Sequence, residues 1–414
     1  MRFRLCRGMA FGVLNMAVAG PVGAGAVHCV ALVGRDYPGV VFDLAVGEGD
    51  RVDAGQVLAC DRHRPEIVFV APVAGRVSRI GLGARRRLEA LEIEVGGDGA
   101  LAFDVSDALG DGAALRRVLL ASGVWAGFRT RPFGHVPGAQ DQPAAIFVNA
   151  MESEPCAPDT LAVLAPQIED FRRGAEALRH LTSGPVIICQ AEGEALLAAG
   201  ERLEISMFCG LHPVGLAGTH MHHVMPVSRQ RVVWQINAQD VAAIGHLLAT
   251  GRIMGQRVIS VAGSGVDQPG LMQVPLGARL ADLAQDAGQW LSGSVLSGQR
   301  ADYLGRYDVQ ASLGGLYPSM DRPFWHRLLD HLPAAPIGAT LPNEEFERVW
   351  PFDILPVPLM RALAVGDVET AERLGCLELL EEDMALLSHL CPSGNDYGAL
   401  LRHTLDILAQ EGAV

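Results

Sequence analysis

Three histidines in a glycine-rich stretch, His212, His220 and His222, have a spacing that suits metal binding. On a β-strand, His220 and His222 would point to the same face because they lie two residues apart. With His212 they would supply three imidazoles, which is enough for a catalytic zinc site. The alternative is a loop whose histidines hydrogen-bond to the backbone, and the lack of a neighbouring carboxylate in the sequence favours it. We therefore predict a loop-rich segment over 206–228 that binds no metal.

A second cluster of polar residues follows a predicted buried strand, in the sequence FVNAMESEP that begins at Phe147. Open α/β sheets bind ligands where their strands end. Glu152 and Glu154 could there accept hydrogen bonds from a ribose, a ribityl chain or a flavin, with Phe147 and Met151 as apolar neighbours. With Asn149, the two acids could equally cap the helix that follows. The sequence leaves both alternatives open.

Two arginines one residue apart, Arg129 and Arg131, precede this cluster in the motif FRTRPF. Their guanidinium groups could bind an anionic ligand or the carboxylates of a partner. A solvated loop is the alternative, and we favour it slightly because arginines are usually exposed. No residue of the chain is predicted to be catalytic.

The composition excludes several kinds of chemistry. All 33 basic residues are arginine, so no lysine is present for a Schiff base, a Walker A phosphate site or a biotinyl or lipoyl group. A net charge of −14 argues against a nucleic-acid partner, because nothing offsets repulsion by phosphates. No nucleophile elbow occurs, and no glycine pair is completed to a dinucleotide fingerprint. The uncharged segment 11–34 is interrupted by glycine and proline, so we expect neither secretion nor a membrane span there.

The eight cysteines form no C-x-x-C pair and indicate reduced thiols in a cytoplasmic compartment. A [4Fe–4S] cluster needs four thiolates in close spacing. Cys376 and Cys391 in the helical tail lie fifteen residues apart and cannot supply them. We expect both to be structural thiols.

Four predicted parts of the chain must position these residues. Short strand-like runs separated by glycine form two half-repeats and predict a barrel-sandwich domain over 1–100. Buried strands that alternate with amphipathic helices predict an α/β domain over 101–255. Strand and turn patterns return over 256–330, and helical patterns with acidic clusters fill 331–414 after a proline-rich connector. The predicted fold class is thus α/β in the mixed α+β sense.

The two half-repeats resemble the barrel-sandwich hybrid of biotinyl and lipoyl domains. In those domains a lysine sits at the hairpin between the halves. Here that hairpin, Cys60 to Pro65, reads CDRHRP. The scaffold is therefore predicted without the carrier function.

With these residues in view, the chain resembles the NqrA family, a subunit family of the sodium-translocating NADH:quinone oxidoreductase, nearly from end to end. The most specific segments are 128–133 (FRTRPF), 147–151 (FVNAM), 212–220 (HPVGLAGTH), 292–298 (SGSVLSG), 302–307 (DYLGRY), 348–356 (RVWPFDILP) and 375–391. That family is similar to the flavin- and NADH-binding subunit of complex I and to the C subunit of the Rnf complex. The string from Asn149 to Pro155 resembles their flavin-site loop, and Cys391-Pro392 resembles the last piece of their iron–sulfur motif.

The resemblance implies a scaffold of barrel-sandwich, Rossmann-like α/β, β-grasp (SLBB-like) and helical parts that has lost flavin and cluster. It implies a peripheral subunit without a transmembrane segment, on the cytoplasmic side of the inner membrane and bound to membrane-embedded partners. The complex would oxidise NADH, reduce ubiquinone and export sodium. Its flavins and iron–sulfur centre would lie in other subunits, and this chain would bind no cofactor.

A quinone head group is the one ligand that the resemblance leaves to this chain. The candidate contacts for it, or for a vestigial flavin pocket, are Phe147, Met151, Glu152, Glu154, His212, His220, Arg129 and Arg131. Two alternatives remain. One is a self-sufficient NADH oxidoreductase that retains flavin at Glu152 and Glu154, and the other is a stand-alone β-grasp ligand-binding module.

Overall fold

The computed structural model describes residues 1–11, 18–20, 22–263, 266, 269–284, 288–314 and 340–412. Numbered in chain order, the strands are β1 (Arg2–Arg4), β2 (Val22–Ala24), β3 (Cys29–Val33), β4 (Phe42–Leu44), β5 (Arg51–Val52), β6 (Val57–Asp61), β7 (Arg64–Val70), β8 (Gly75–Leu82), β9 (Leu88–Val95), β10 (Arg129–Arg131), β11 (Ile146–Ala150), β12 (Val186–Ala191), β13 (Leu203–Cys209), β14 (Val233–Asn237), β15 (Gln256–Ala262), β16 (Gly270–Pro275), β17 (Trp290–Ser292), β18 (Gln299–Arg300) and β19 (Gln310–Leu313). The α-helices are α1 (Gly112–Ala121), α2 (Thr160–Leu164), α3 (Ile168–Leu178), α4 (Ala217–Val224), α5 (Ala238–Thr250), α6 (Glu344–Val349), α7 (Pro356–Val365), α8 (Val368–Arg373), α9 (Ala385–Leu390) and α10 (Tyr397–Glu411). The connector around Pro333 and Pro336 and the last part of the predicted third domain lie outside the described residues.

The predicted barrel-sandwich domain is confirmed and consists of two small antiparallel sheets. Their strand orders are β3-β9-β8-β5 and β4-β6-β7. Alternate side chains of the strands turn inward, so Leu58, Val77 and Leu91 meet with no exposed surface. At the hairpin between β6 and β7, the Arg64 guanidinium donates to the Asp61 carboxylate at 2.8 Å. An arginine ion pair thus closes the hairpin that carries a lysine in carrier domains.

The first two strands pair outside this barrel. Strand β1 lies parallel to β13, and β2 lies parallel to β16. The predicted unit of residues 1–100 therefore gives its opening segment to the two sheets that follow. Strands of three residues carry no periodicity, so the sequence could not show this pairing.

The second domain is built on a sheet with the order β1-β13-β12-β11-β14-β10. Strands β11 to β14 are parallel to one another, and their buried runs are apolar, as in sheets that are covered on both faces. Helices α3 and α5 cover one face and touch where Gly174 meets Gly245. A Cβ atom on Gly245 would lie 1.7 Å from the carbonyl oxygen of Asp170, so the close approach of the helices requires glycine there.

The third sheet has the order β18-β17-β19-β15-β16-β2, with β15 parallel to β19 and antiparallel to β16. The C-terminal helices surround a separate apolar core that contains Phe346, Leu359, Leu387 and Leu405. The predicted mixed α+β fold class is confirmed. Within the ranges that the structure describes, no helix is both long enough and apolar enough to cross a membrane.

The loop predicted over 206–228 is wrong in part, because β13 runs to Cys209 and α4 occupies 217–224. Helix α4 has no side-chain N-cap, and its glycine, threonine and histidines are poor helix formers. Burial stabilises it instead, since Thr219 and Met221 are 0% and 1% exposed against the sheet. Tertiary packing here outweighs the local preference.

Candidate functional site

The carboxyl ends of β11 and β14 lie side by side, with Asn149 opposite Asn237. The Asn237 side chain caps α5 by accepting from a backbone N–H, and its amide nitrogen donates to Glu152 Oε1 at 3.4 Å. The Asn149 amide donates to the carbonyl oxygen of Gly215 at 3.1 Å. The loop of residues 151–154 is thus held between a neighbouring strand end and the turn that precedes α4. We call this region the strand-end crevice.

Ser153 links the loop to His212. The Ser153 hydroxyl accepts from the Gly215 N–H at 2.8 Å and lies 3.0 Å from His212 Nδ1. When the hydroxyl proton is donated to Nδ1, the ring proton of His212 lies on Nε2. Nε2 is buried and has no hydrogen-bond partner among the described residues. Burial lowers the pKa of His212, so the ring is neutral, and Nε2 is a buried polar atom that no described group satisfies.

Glu152 and Glu154 form an acidic pair in the crevice. Burial, and next the charge of Glu154, raises the pKa of Glu152 to about 8. Glu152 therefore carries a proton at neutral pH and can donate a hydrogen bond. Glu154 Oε2 accepts from the Ser294 hydroxyl at 2.7 Å, and Ser294 belongs to the third domain. The crevice is consequently bounded by two domains.

The alternative in which these residues cap the following helix is wrong. Helix α2 is capped by Asp159, whose carboxylate accepts from the N–H groups of Leu161 at 3.0 Å and Ala162 at 3.4 Å. Glu152 and Glu154 precede that cap and make the crevice contacts instead. Their bonds join strand ends and domains.

Phe147 and Met151, the apolar candidates, are 1% and 7% exposed and pack together in the core beneath α4. Val148 faces the other side of the sheet, toward α5. The structure thus brings Glu152, Glu154 and His212 together at the crevice and places Phe147 and Met151 in the core directly beneath it.

The other two histidines of the cluster lie on α4 and bond within the protein. His220 Nε2 lies 2.8 Å from the Val214 carbonyl oxygen, and burial lowers its pKa to about 3, so the ring is a neutral donor. His222 Nε2 accepts from a backbone N–H at 3.0 Å, and Nδ1 donates to Glu378 at 2.8 Å. The part of the chain covered by the structure holds no group of three histidine, cysteine or acidic side chains that could bind a metal.

Arg129 and Arg131 meet carboxylates of this same chain, so the solvated loop expected for them is wrong. Arg131 is fully buried and donates to Asp383 at 2.7 Å and to Glu382 at 3.0 Å. Arg129 lies 3.4 Å from Glu382 and stacks over the Tyr307 ring at 4.8 Å. Both arginines therefore join β10 to the C-terminal helical part. No local signal indicates this, because the partners lie about 250 positions away.

Sequence reasoning passed over three polar residues of the crevice: Ser153, Asn237 and Ser294. Asn237 ends a strand and begins a helix, and Ser294 lies in the motif SGSVLSG. Position in such a motif or at a strand end was the available signal. Two cavities lie elsewhere and are lined by none of the candidate residues. One, of about 80 Å³, is lined by Tyr37 and Arg306, and the other is an open groove of about 670 Å³ beside Trp290.

Cys376 and Cys391 are buried in the helical core, and all eight cysteines are free thiols. The Cys391 sulfur lies 2.9 Å from the Ser393 hydroxyl and 3.4 Å from the Tyr397 hydroxyl. Its surroundings are those of a packed structural thiol.

The barrel-sandwich, α/β and third domains each match a model of the same protein family. Residues 3–96 match the family model "NqrA N-terminal barrel-sandwich hybrid domain", residues 111–253 match "NqrA second alpha/beta domain", and residues 258–302 match "NQRA C-terminal domain". The matches follow the order of the domains along the chain.

Curated relatives agree over almost the whole length. The chain is 41% identical to the NqrA subunit of the Na(+)-translocating NADH-quinone reductase from Neisseria meningitidis serogroup C, covering 94% of this chain and 95% of that protein. It is 40% identical to the corresponding protein from Haemophilus influenzae Rd, with the same coverage. A chain of a solved NAD+-reducing [NiFe]-hydrogenase is 16% identical, with a TM-score of 0.41. The match covers 73% of this chain and 63% of the hydrogenase chain. The chain belongs to the NqrA family of the Na+-translocating NADH-quinone reductase.

Proposed function

We propose that this chain is a cofactor-free peripheral subunit, on the cytoplasmic side of a membrane complex that oxidises NADH, reduces ubiquinone and exports sodium. The names of its relatives support membership of such a complex. The absence of lysine excludes attachment of a biotinyl or lipoyl group to the barrel-sandwich domain. In the crevice, Glu152, Ser153 and Glu154 are bonded to protein groups, which supports a loop that no longer binds flavin. The flavins and the iron–sulfur centre would then lie in partner subunits.

Within that role, we propose that the strand-end crevice orients the head group of a quinone. Reduction of a quinone adds two protons, so its oxygens need donors close by. Glu152 supplies a protonated carboxyl, and His212 Nε2, protonated when Ser153 donates to Nδ1, supplies an N–H without a partner in the described structure. A head group that entered would replace the hydrogen bond between Ser294 and Glu154, which is the contact closing the crevice toward the third domain. The observation that carries the proposal is that both groups belong to one hydrogen-bonded loop, in which Ser153, the neighbour of Glu152 and Glu154, contacts His212.

The substitution Glu154→Gln in the assembled complex tests the quinone contact. Glutamine keeps the size of the side chain and can still accept from Ser294, but it removes the negative charge beside Glu152. We expect quinone reduction to fall several-fold while NADH oxidation by an artificial acceptor is unchanged. Glu378→Gln is the matched control, because the Glu378 carboxylate bonds His222 outside the crevice. Equal rates for Glu154→Gln and wild type across a quinone titration would leave the loop as scaffold only.

The isolated chain distinguishes this proposal from a self-sufficient flavoenzyme. We expect the purified protein to be colourless. A stoichiometric flavin, seen as the oxidised-flavin absorption band near ~450 nm, would contradict a cofactor-free subunit. That measurement is independent of partner subunits and of quinone.

A further inference from the structure

The turn between β8 and β9 carries three consecutive arginines, Arg85, Arg86 and Arg87, and all three are exposed. None of them forms an ion pair with any residue that the structure describes. Lower on the same hairpin the arginines are neutralised, since Arg76 bonds Glu94 at 2.9 Å and Arg79 bonds Glu92 at 3.2 Å. The tip of the hairpin is therefore distinguished by uncompensated positive charge.

The backbone of this turn is strained. Arg85 has φ 56° and ψ 28°, and Arg86 also has φ 56°, so two successive residues lie in the left-handed region. Glycine, asparagine and aspartate adopt that region far more readily than arginine does. Stability alone would favour those residues, and strain of this kind is kept mainly where a function requires the side chain.

An exposed apolar side chain lies next to the charges. Leu82, the last residue of β8, is 44% exposed and lies opposite Leu88 at the base of the turn. Glu89 lies at the tip, beside Gly83, and lower on β8 the Ile80 N–H donates to the Glu48 carboxylate at 2.8 Å. Residues 82–89, with three arginines and one glutamate, carry a charge of about +2 in a chain whose net charge is −14.

Cations around an apolar residue match the headgroup region of an anionic bilayer, which attracts arginine and accepts a leucine at its acyl boundary. A protein partner fits less well, because a stable interface needs about 800 Å² on each side and this tip consists of only a few residues. The acidic remainder of the chain would be repelled by the same bilayer, so the hairpin would also set the orientation of the subunit.

We propose that the β8–β9 turn is a docking point for the anionic headgroups of a phospholipid bilayer. The site lies on the barrel-sandwich domain and involves none of the crevice residues, so it stands or falls separately from the quinone proposal. Binding is expected to weaken with salt, because exposed charges are screened beyond about 10 Å at 0.1 M ionic strength.

Cosedimentation of the full chain with lipid vesicles tests the proposal. We expect binding to vesicles of phosphatidylcholine mixed with phosphatidylglycerol and much weaker binding to phosphatidylcholine alone. The variant R85N/R86N/R87S should bind the anionic vesicles about 100-fold less, from roughly fivefold for each charge removed. Asparagine suits the left-handed positions, so this variant should fold at least as well as wild type.

The matched control is R2S/R117S/R252S, which removes three exposed arginines from other surfaces and should bind like wild type. Leu82→Ser should reduce binding several-fold while the salt dependence remains. Equal binding of the hairpin variant and wild type, or equal binding to neutral and anionic vesicles, would overturn the proposal. Loss of assembly with partner subunits in the hairpin variant, without any vesicle binding by wild type, would also overturn it and assign the turn to a protein interface.

Discussion

Removing the Arg131 guanidinium should loosen the contact between the α/β domain and the C-terminal helices. Arg131 donates to Asp383, Glu382, the Gln235 side chain and the Glu378 carbonyl, all within 3.0 Å, and it has no exposed surface. Arg131→Met would leave Asp383 buried without its cation. Losing one partner of a buried pair costs about 3–5 kcal/mol, which corresponds to roughly 150- to 5,000-fold in a local opening equilibrium.

Hydrogen exchange at individual amides measures that opening without requiring two-state unfolding. The N–H of Leu380 donates to Asp383 Oδ2 at 2.8 Å. Hydrogen exchange of the backbone amides of residues 378–384 should therefore accelerate by the same factor as the local opening equilibrium. Burial raises the pKa of Asp383 and Arg131 opposes this, so protonation of Asp383 in the variant should make the loss smaller at low pH.

The control for this experiment is Arg172→Met, which removes an exposed pair with Glu169 and should cost less than about 1 kcal/mol. Arg131→Met combined with Asp383→Leu should recover part of the loss, because the unpaired charge is gone. Unchanged amide exchange over 378–384 in Arg131→Met would refute the conclusion that Arg131 holds the two domains together. It would favour the alternative in which Arg131 binds an anionic ligand.

Two further predictions concern buried titratable groups. The pKa of Glu152 is raised from 4.5 to about 8, so its contribution to stability is complete below the unfolded value and is lost as pH rises through the folded value. At pH values between those two, the free energy of unfolding of Glu152→Gln, measured by urea denaturation, should rise relative to that of wild type by at most about 1.4 kcal/mol per pH unit. A difference between the two proteins that does not change with pH would contradict the raised pKa. His220→Ala should cost about 1–2 kcal/mol, from its hydrogen bond to Val214 and its contact with Phe208, and should not change zinc content. Zinc bound stoichiometrically by wild type and lost in this variant would refute that interpretation.

Features set by local pattern were predictable from the sequence. Period-two alternation around Leu58 and Val77 predicts the barrel strands, because inward residues of a two-sheet sandwich must be apolar. The absence of lysine in the hairpin between β6 and β7 needs no structure to interpret. The position of Glu152 at a strand end also followed from the order of strands and helices.

Features set by distant partners were not predictable. The burial of Arg131 depends on Asp383, and nothing in the motif FRTRPF indicates a carboxylate at that distance along the chain. Helix α4 forms on residues of low helix propensity because the sheet buries them. Burial of a charge and tertiary override of propensity are both properties of the assembled molecule.

Carboxylates at the junction between the α/β domain and the third domain bond across it, which affects how substitutions in the crevice are interpreted. Glu154 bonds Ser294 of the third domain, and Asp240 is held by Arg257 and Arg306, each with a contact of 2.9 Å, from that same domain. Each carboxylate therefore fixes domain orientation as well as any ligand it contacts. A substitution that deletes the hydrogen bond confuses the two effects, whereas Glu154→Gln preserves the bond and changes only the charge. A defect in quinone reduction that appears with glutamine at position 154 would thus report on the crevice itself, because the hydrogen bond to Ser294 would still form in the quinone-free protein.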